Sequence, residues 1–248
     1  MFIIDNDKFS AFTLAEVLIT LVIIGMIAAM TVPTLIANYQ KEETISRLKK
    51  VYSTLSQTTN RAIADNGPIE SWEMIDGNGT WNGSKFFAEN YLIPYLNVLQ
   101  KCENNNIDRC KFVANGLDNK KLSTSYVAEL SDKNYRFYLN DGTFISVWTY
   151  KNLNVSGKNH KQYATIVFDI NGQKGPNRLG RDIFGMDYFI DTTLYPELKG
   201  KFVPRYINLS RNQLLSNSGY MCNKKQSGSA CLAVIYKDGW QIKSDYPW

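Results

Sequence analysis

The chain contains 248 residues, of which 44% are hydrophobic and 21% are charged, and its formal net charge is +5. A chain of this length forms one domain, with room for an appendage. Aromatic residues make up 13% of the chain, which excludes disorder over most of its length, and the single histidine excludes a His-rich metal site.

The apolar residues are concentrated near the N-terminus. Between Phe9 and Gln40 the only charged residue is Glu16, and the uncharged run from Val17 to Ala37 has 21 residues. A bilayer core about 30 Å thick needs about 20 apolar residues in a helix. We therefore expect residues 12–37 to form the membrane-spanning half of a helix. A signal peptide and a plain N-terminal anchor are the alternatives, although a secretory apolar region has only about 7–15 residues.

Two residues are unusual for a plain anchor. Pro33 lies inside the predicted helix, where it removes a backbone donor and should kink or loosen the helix. Glu16 places a carboxylate near the edge of a membrane helix, which is unfavourable without a partner. The same helix offers no cation before Lys41, so the sequence predicts a partner from elsewhere.

The segment from Lys8 to Ala37, KFSAFTLAE followed by VLITLVIIGMIAAMTVPTLIA, resembles the N-terminus of type IV pilins and pseudopilins. In that family a leader ends in a small residue, usually glycine. A prepilin peptidase cuts before the next Phe or Met and methylates the new amine, and a Glu follows four residues later. The resemblance implies a leader of residues 1–11, cleavage between Ala11 and Phe12, N-methylation of Phe12, and pairing of Glu16 with the amine of a neighbouring subunit.

The resemblance also implies what the chain does. It would be a structural subunit of a type IV pilus or a type II secretion pseudopilus, held by a single pass in the bacterial inner membrane with its body periplasmic or extracellular, and part of a filament after assembly. Its partners would be the prepilin peptidase, other pilin or pseudopilin subunits and the assembly platform. Cleavage would leave 237 of the 248 residues, which is large for an abundant subunit and favours a minor one.

A binding role is the alternative. In this interpretation the body is a filament-tip module, an adhesin or a subunit that captures DNA or a secreted substrate, so nucleic acid stays open as a partner. The sequence contains no Gly-rich phosphate loop and no catalytic motif, so we expect no enzyme activity. The lysine pairs Lys120-Lys121 and Lys224-Lys225 are expected to be solvated faces, because no aromatic residues interleave with them.

The helical pattern continues beyond the membrane-spanning half. The residues of its apolar stripe recur at intervals of three and four, and they are Ile45, Leu48, Tyr52, Leu55, Thr59 and Ala62. Residues 38–65 are therefore predicted to be an amphipathic half of the same helix, with a coiled coil as the alternative. Gly67 and Pro68 predict the end of this helix.

Residues 66–248 are predicted to form one body. A short helix broken at Pro94 is expected between Ser84 and Leu99, and the turn 140–142 joins two strands as a hairpin. We predict four strands, at residues 135–139, 143–150, 163–170 and 184–191. A meander of this kind is antiparallel, and its apolar face would take the stripe of the long helix. The predicted fold class is α+β, a long N-terminal helix packed on an antiparallel sheet as in pilins.

The four cysteines suggest two local disulfides. Cys102 and Cys110 would close one short loop, and Cys222 and Cys231 would close another. Four cysteines allow three connectivities, and the local one is favoured because both spacings are short. Both spacings are poor for zinc, so disulfides in an oxidising compartment are expected. A short helix ending at Gly239 should follow the second loop.

The segment 169–182 is dense in oxygen-bearing side chains and glycines. It resembles the loop in which some pseudopilins hold calcium, with Asp169, Asn171, Asn177 and Asp182 as suitable ligands. The alternative interpretation is a tight loop in which Asn and Gly adopt positive φ, and three nearby cations oppose a bound ion. No other metal or cofactor is expected.

Overall fold

The computed structural model describes residues 13–75, 80–103, 110, 113–122, 133–150, 153–155, 158–160, 162–191 and 196–248. The helices are α1 (Leu14–Asn66), α2 (Trp81–Tyr91), α3 (Arg211–Leu214) and α4 (Cys231–Lys237), with short 3-10 turns at Ile69–Ser71, Ile93–Tyr95 and Pro196–Leu198. The chain divides into two compact units, residues 1–43 and 44–248. The membrane-spanning and body boundaries expected from the sequence stay predictions.

A six-stranded antiparallel sheet forms the body. Its strands are β1 (Val98–Lys101), β2 (Tyr135–Leu139), β3 (Phe144–Tyr150), β6 (Gln162–Asp169), β7 (Ile183–Asp191) and β8 (Phe202–Pro204), in the order β1-β2-β3-β6-β7-β8. The strands β4 (Leu153–Val155) and β5 (Lys158–His160) form a separate hairpin. The sheet and the long N-terminal helix confirm the predicted α+β, pilin-like fold class.

The second half of α1 supplies one wall of the core. Its buried residues are Thr44, Leu48, Val51, Leu55, Thr58, Thr59 and Ala62. Ile45 and Tyr52 of the predicted stripe are only partly buried. The helical period is therefore right, but the buried face also takes in Val51 and Thr58, which the sequence pattern misses. Gly67 follows the helix at φ 79°, the left-handed conformation that glycine adopts at a helix end.

Alternate strand residues form the opposite wall. Phe137, Ile145, Ile166, Phe168 and Met186 are fully buried and belong to the same apolar cluster as Leu48 and Leu55. Two polar contacts fix this part of α1 on the sheet ends. The Arg47 guanidinium donates to the carbonyl oxygen of Ile170 at 3.1 Å, and Lys50 Nζ lies 2.7 Å from Asp141 Oδ2.

The secondary structure differs from what the sequence pattern predicts at three places. The helix expected between Ser84 and Leu99 begins at Trp81 and ends at Tyr91, and a 3-10 turn containing Pro94 leads into β1. The segment between the predicted strands 143–150 and 163–170 contains the β4–β5 hairpin, which the sequence pattern does not predict. The sequence pattern also does not predict β8, because its three residues are too few to give a period-2 pattern.

The C-terminal tail is fastened to the body. The Arg211 guanidinium donates to Asp238 at 2.7 and 2.8 Å and to Asp245 at 2.8 Å. The buried Tyr246 hydroxyl donates to the carbonyl oxygen of Gly180 at 2.6 Å. These contacts join the tail to α3, to α4 and to the loop between β6 and β7.

Candidate functional site

The first turn of α1 contains a reciprocal pair of hydrogen bonds. The Thr13 backbone N–H and hydroxyl donate to Glu16 Oε2 at 2.9 and 3.0 Å. The Glu16 backbone N–H donates to Thr13 Oγ1 at 3.2 Å. Thr13 directly precedes α1, so Glu16 is its third helical residue. This is a capping box, which satisfies two of the N–H groups that a helix start leaves without partners.

The capping box corrects one step of the sequence analysis. Glu16 has a partner within its own chain, whereas the sequence argument required one from elsewhere. The T-x-x-E pattern of residues 13–16 is the sequence signal for this capping box. Only Oε2 takes part in the box. Oε1 accepts no hydrogen bond from the part of the chain that the structure describes, so the box leaves one oxygen for a cation. A role of Glu16 in assembly stays a prediction.

The predicted cleavage site lies next to this box. Ala11 and Phe12 are outside the described residues, so cleavage between them and methylation of Phe12 stay predictions. A cut there would make Thr13 the second residue of the mature chain, one residue after the new amine.

The rest of the first unit is an apolar stem. Its large apolar side chains from Leu14 to Ile36 are 44–81% exposed. Among the described residues, α1 is the one helix long and apolar enough to cross a membrane, by length and composition. The hydroxyls of Thr20 and Thr31 donate to the carbonyl oxygens of Val17 and Ile27, so both are satisfied within the helix, as a lipid environment requires. Pro33 lies within α1, and the helix continues on both sides of it.

Both predicted disulfides are present, with the local pairing. Cys102 pairs with Cys110 and Cys222 with Cys231. All four residues are at most 5% exposed, and none of the four is free. The second disulfide ends at the first residue of α4, and therefore ties that helix to the loop before it.

The loop between β6 and β7 is held by its own hydrogen bonds. The two carboxylate oxygens of Asp182 accept the backbone N–H groups of Asn177 and Arg178 at 2.7 and 2.6 Å. Asp169 Oδ1 accepts the backbone N–H of Asn171 at 2.8 Å. Gly172, Asn177 and Gly180 have φ values of 69°, 48° and 76°. The geometry is that of the tight loop with positive φ that was the alternative interpretation of this segment.

The same loop brings the four predicted calcium ligands together. Asp169 and Asp182 are 0% and 3% exposed. Burial, and then the neighbouring Asp182 carboxylate, raise the pKa of Asp169 to about 8, and burial also raises the pKa of Asp182. Asp169 Oδ2, Asn171 Oδ1 and Asn177 Oδ1 are buried without a hydrogen-bond partner among the described residues. These are oxygen donors of the type calcium takes. Among the described residues, no group of three or more His, Cys, Asp or Glu side chains is placed so that it could hold a metal ion, and calcium binding stays a prediction.

Two family models match the chain, one over the N-terminal segment and one over the rest of the chain. Residues 6–32 match the prokaryotic N-terminal methylation motif, which is the type IV pilin and pseudopilin signal and confirms the resemblance inferred from the sequence. Residues 34–248 match a second family, described as a family of unknown function. No curated protein and no solved structure matches the chain. The chain is thus pilin-like at its N-terminus, and by residues 34–248 it belongs to the Family of unknown function (DUF6613).

Proposed function

We propose that this chain is a minor pilin-like subunit that is stored in the bacterial inner membrane and assembled into a type IV pilus or a type II secretion pseudopilus. The methylation motif carries this proposal, because it is followed by an exposed apolar helix that continues as α1 into a disulfide-bonded body. The motif alone supports a pilin or pseudopilin-like subunit. The minor role rests on the size of the chain.

Processing is the first step of the proposed function. A prepilin peptidase would cut between Ala11 and Phe12 and methylate the amine of Phe12. Residues 12–37 would then hold the subunit in the membrane by a single pass, with the body in the periplasm or outside the cell. The two disulfides support this orientation, because they form and persist in oxidising compartments.

Assembly is the second step. In a packed bundle of stems, the cationic amine of Phe12 in one subunit would meet Glu16 of its neighbour. The exposed Oε1 is the oxygen left for this pair, because Oε2 is held in the capping box. Only one stagger of neighbouring helices brings the two charges together, so the pair would also set the axial register. The partners at this step are other pilin or pseudopilin subunits and the assembly platform, and the role is structural rather than catalytic.

Two measurements on cells test this proposal. Mass spectrometry of membrane protein should find a chain that begins at N-methylated Phe12. Filaments sheared from cells should contain the protein at low copy number relative to a major subunit. A chain that keeps residues 1–11, or one that never leaves the membrane fraction when filaments form, would contradict the proposal.

A filament-tip binding module is the second candidate function. One observation favours it: three loops of the body contain more cations than carboxylates, and four of these cations form no ion pair with any residue that the structure describes. Copy number separates the two candidates, because a tip module would be present about once per filament, whereas a subunit within the shaft would recur along it.

A further inference from the structure

Three loops that are distant in sequence are hydrogen-bonded to one another. They are loop A (residues 113–122), loop B (170–182) and loop C (222–231). The backbone N–H groups of Leu117 and Asp118 in loop A donate to the carbonyl oxygens of Ser227 and Gln226 in loop C at 3.0 and 3.1 Å. Loops A and B exchange two backbone hydrogen bonds of 2.9 Å through Asn115. Loop A therefore contacts both loop B and loop C.

The contact between loops B and C is also close. An added Cβ at Gly180 of loop B would lie 2.7 Å from Cys231 Sγ of loop C. Loop C is closed by the disulfide from Cys222 to Cys231. The three loops therefore form one fixed surface, which we call the basic loop cluster.

The basic loop cluster is rich in cations. Together with Asp169, which directly precedes loop B, the three loops contain three carboxylates and seven cationic side chains, an excess of four positive charges. The cations are Lys120, Lys121, Lys174, Arg178, Arg181, Lys224 and Lys225. Two of the carboxylates, Asp169 and Asp182, are buried and accept backbone N–H groups. Asp182 also attracts the Arg181 guanidinium electrostatically. Asp118 is the third carboxylate, and it lies 3.6 Å from Lys120 Nζ.

Elsewhere in the body, many cations have carboxylate partners. Ion pairs of 2.6–3.4 Å hold Lys50, Lys85, Lys101, Lys199, Arg205, Arg211 and Lys243. In contrast, Lys174, Arg178, Lys224 and Lys225 form no ion pair with any residue that the structure describes. Lys174, Lys224 and Lys225 are also exposed. The cluster therefore presents positive charge that the described part of the body does not fully neutralise.

An exposed aromatic side chain lies beside loop C. Tyr220 is 55% exposed, and its carbonyl oxygen accepts the backbone N–H of Ala230 at 3.1 Å. In loop B the Arg181 guanidinium lies 4.5 Å from the ring centroid of Trp248. The sequence pattern predicts that the lysine pairs are solvated faces without interleaved aromatic residues. The fold instead joins loops A and C, which contain the two lysine pairs, and the exposed ring of Tyr220 lies next to loop C.

We propose that the basic loop cluster binds the phosphate backbone of a nucleic acid, with Tyr220 as a stacking platform for an unpaired base. The exposed lysines of the cluster supply positive charge to successive phosphates. An acidic protein would satisfy the charge, but it would not need the exposed ring of Tyr220 next to loop C. Single-stranded DNA uses both features, because base stacking accompanies backbone neutralisation. The inference rests on the second candidate function and is independent of filament assembly.

The experiment uses the full chain in detergent micelles and a fluorescein-labelled single-stranded DNA of about 30 nucleotides, which exceeds one binding site. Fluorescence anisotropy measures the dissociation constant at several salt concentrations. Each phosphate contact on a single strand contributes about −0.7 to the slope of log K against log salt. If about four cations engage phosphates, the slope should be near −3.

Two matched double variants test the location of the site. Replacing Lys224 and Lys225 with Gln should reduce the magnitude of the slope by about 1.4 and weaken binding by about 20-fold at about 0.1 M salt. The control variant replaces Lys201 and Lys237 with Gln. Both of these lysines are exposed and lie outside the three loops, and the loss of charge is the same. The control should bind like the wild type. Equal effects of the two variants would overturn the proposal, because binding would then follow net charge alone.

A third variant tests the type of ligand. Tyr220→Ala should weaken binding of single-stranded DNA by about tenfold and leave the salt slope unchanged. Unlabelled polyglutamate, at equal charge, should compete poorly with the DNA. Equal competition, or no effect of Tyr220→Ala, would show an unspecific acidic ligand and refute the nucleic-acid assignment. Filament incorporation of the same variants should match the wild type, so failure of DNA binding and failure of assembly can be distinguished.

Discussion

Gly180 offers a stringent test of how the basic loop cluster is held together. Its φ is +76°, a left-handed conformation that side chains other than glycine disfavour. A Cβ at this position would lie 2.7 Å from Cys231 Sγ, 3.1 Å from Cys231 Cβ and 3.3 Å from the Tyr246 hydroxyl. The sulfur is fixed by its disulfide with Cys222, so it cannot move aside as a flexible side chain would.

The cost of Gly180→Ala has two parts. The left-handed backbone costs about 1–2 kcal/mol for a residue with a Cβ. Overpacking in a closely packed core costs about 1–3 kcal/mol more. We therefore expect Gly180→Ala to lower the free energy of unfolding by about 2–5 kcal/mol. Urea denaturation of the detergent-solubilised chain, followed by tryptophan fluorescence, measures this difference.

Gly239→Ala is the matched control. Gly239 has nearly the same φ, +71°, and an added Cβ there would meet nothing within 4 Å. The control should therefore show only the backbone cost of about 1–2 kcal/mol. If the two variants are equally destabilised, the contact between Gly180 and Cys231 is not a constraint, and the close docking of loops B and C is refuted.

Three further predictions concern processing, assembly and the loop between β6 and β7. Replacing Ala11 with Gly should speed cleavage before Phe12, and replacing it with Leu should block it; an immunoblot of precursor and mature chain measures both, and processing of the Leu variant at the normal rate would contradict the predicted site. Glu16→Gln keeps an oxygen for the capping box with Thr13 but removes the charge, so it should assemble as poorly as Glu16→Ala in a shearing assay. Assembly of the Gln variant at the wild-type level would assign Glu16 to the box alone. Because the folded-state pKa of Asp169 is about 8, above an unfolded value of about 3.9, the stability that its proton confers is complete below about pH 4 and is lost as the pH rises towards 8. Asp169→Asn should flatten this part of the urea profile and, if the loop holds calcium, should remove any stabilisation by added calcium; an unchanged profile would contradict the assigned pKa.

The sequence predicts the features that depend on local signals. The apolar run, the stop at Gly67 and the hairpin turn at Asn140-Asp141-Gly142 each act within a few residues, and the structure has α1, β2 and β3 with nearly the predicted bounds. The cysteine pairing follows from short spacings in the same way. Short elements such as β1 and β8 lack the length for a periodic pattern, so only their sheet partners define them.

The candidate sites are less visible in the sequence. The T-x-x-E spacing predicts the capping box at Thr13 and Glu16, whereas the charge of Glu16 in an apolar helix suggests a partner from another chain. The basic loop cluster could not be predicted from the sequence, because Lys120 and Lys224 are about a hundred residues apart and their loops are joined by backbone hydrogen bonds between other residues. Tertiary contacts between loops leave no periodic signal in a single sequence.

The burial of the disulfides sets an order of events in the life of the molecule. Cys110 and Cys231 are 0% exposed, so no thiol oxidase or reductant reaches their sulfur atoms once the body is packed. Oxidation must therefore precede or accompany the final collapse of the core, while the chain is still open. The finished protein should in turn ignore mild reducing agents, and its bonds should become reducible only when the body unfolds. The two disulfides therefore form while the chain matures, and they stay oxidised as long as the body is folded.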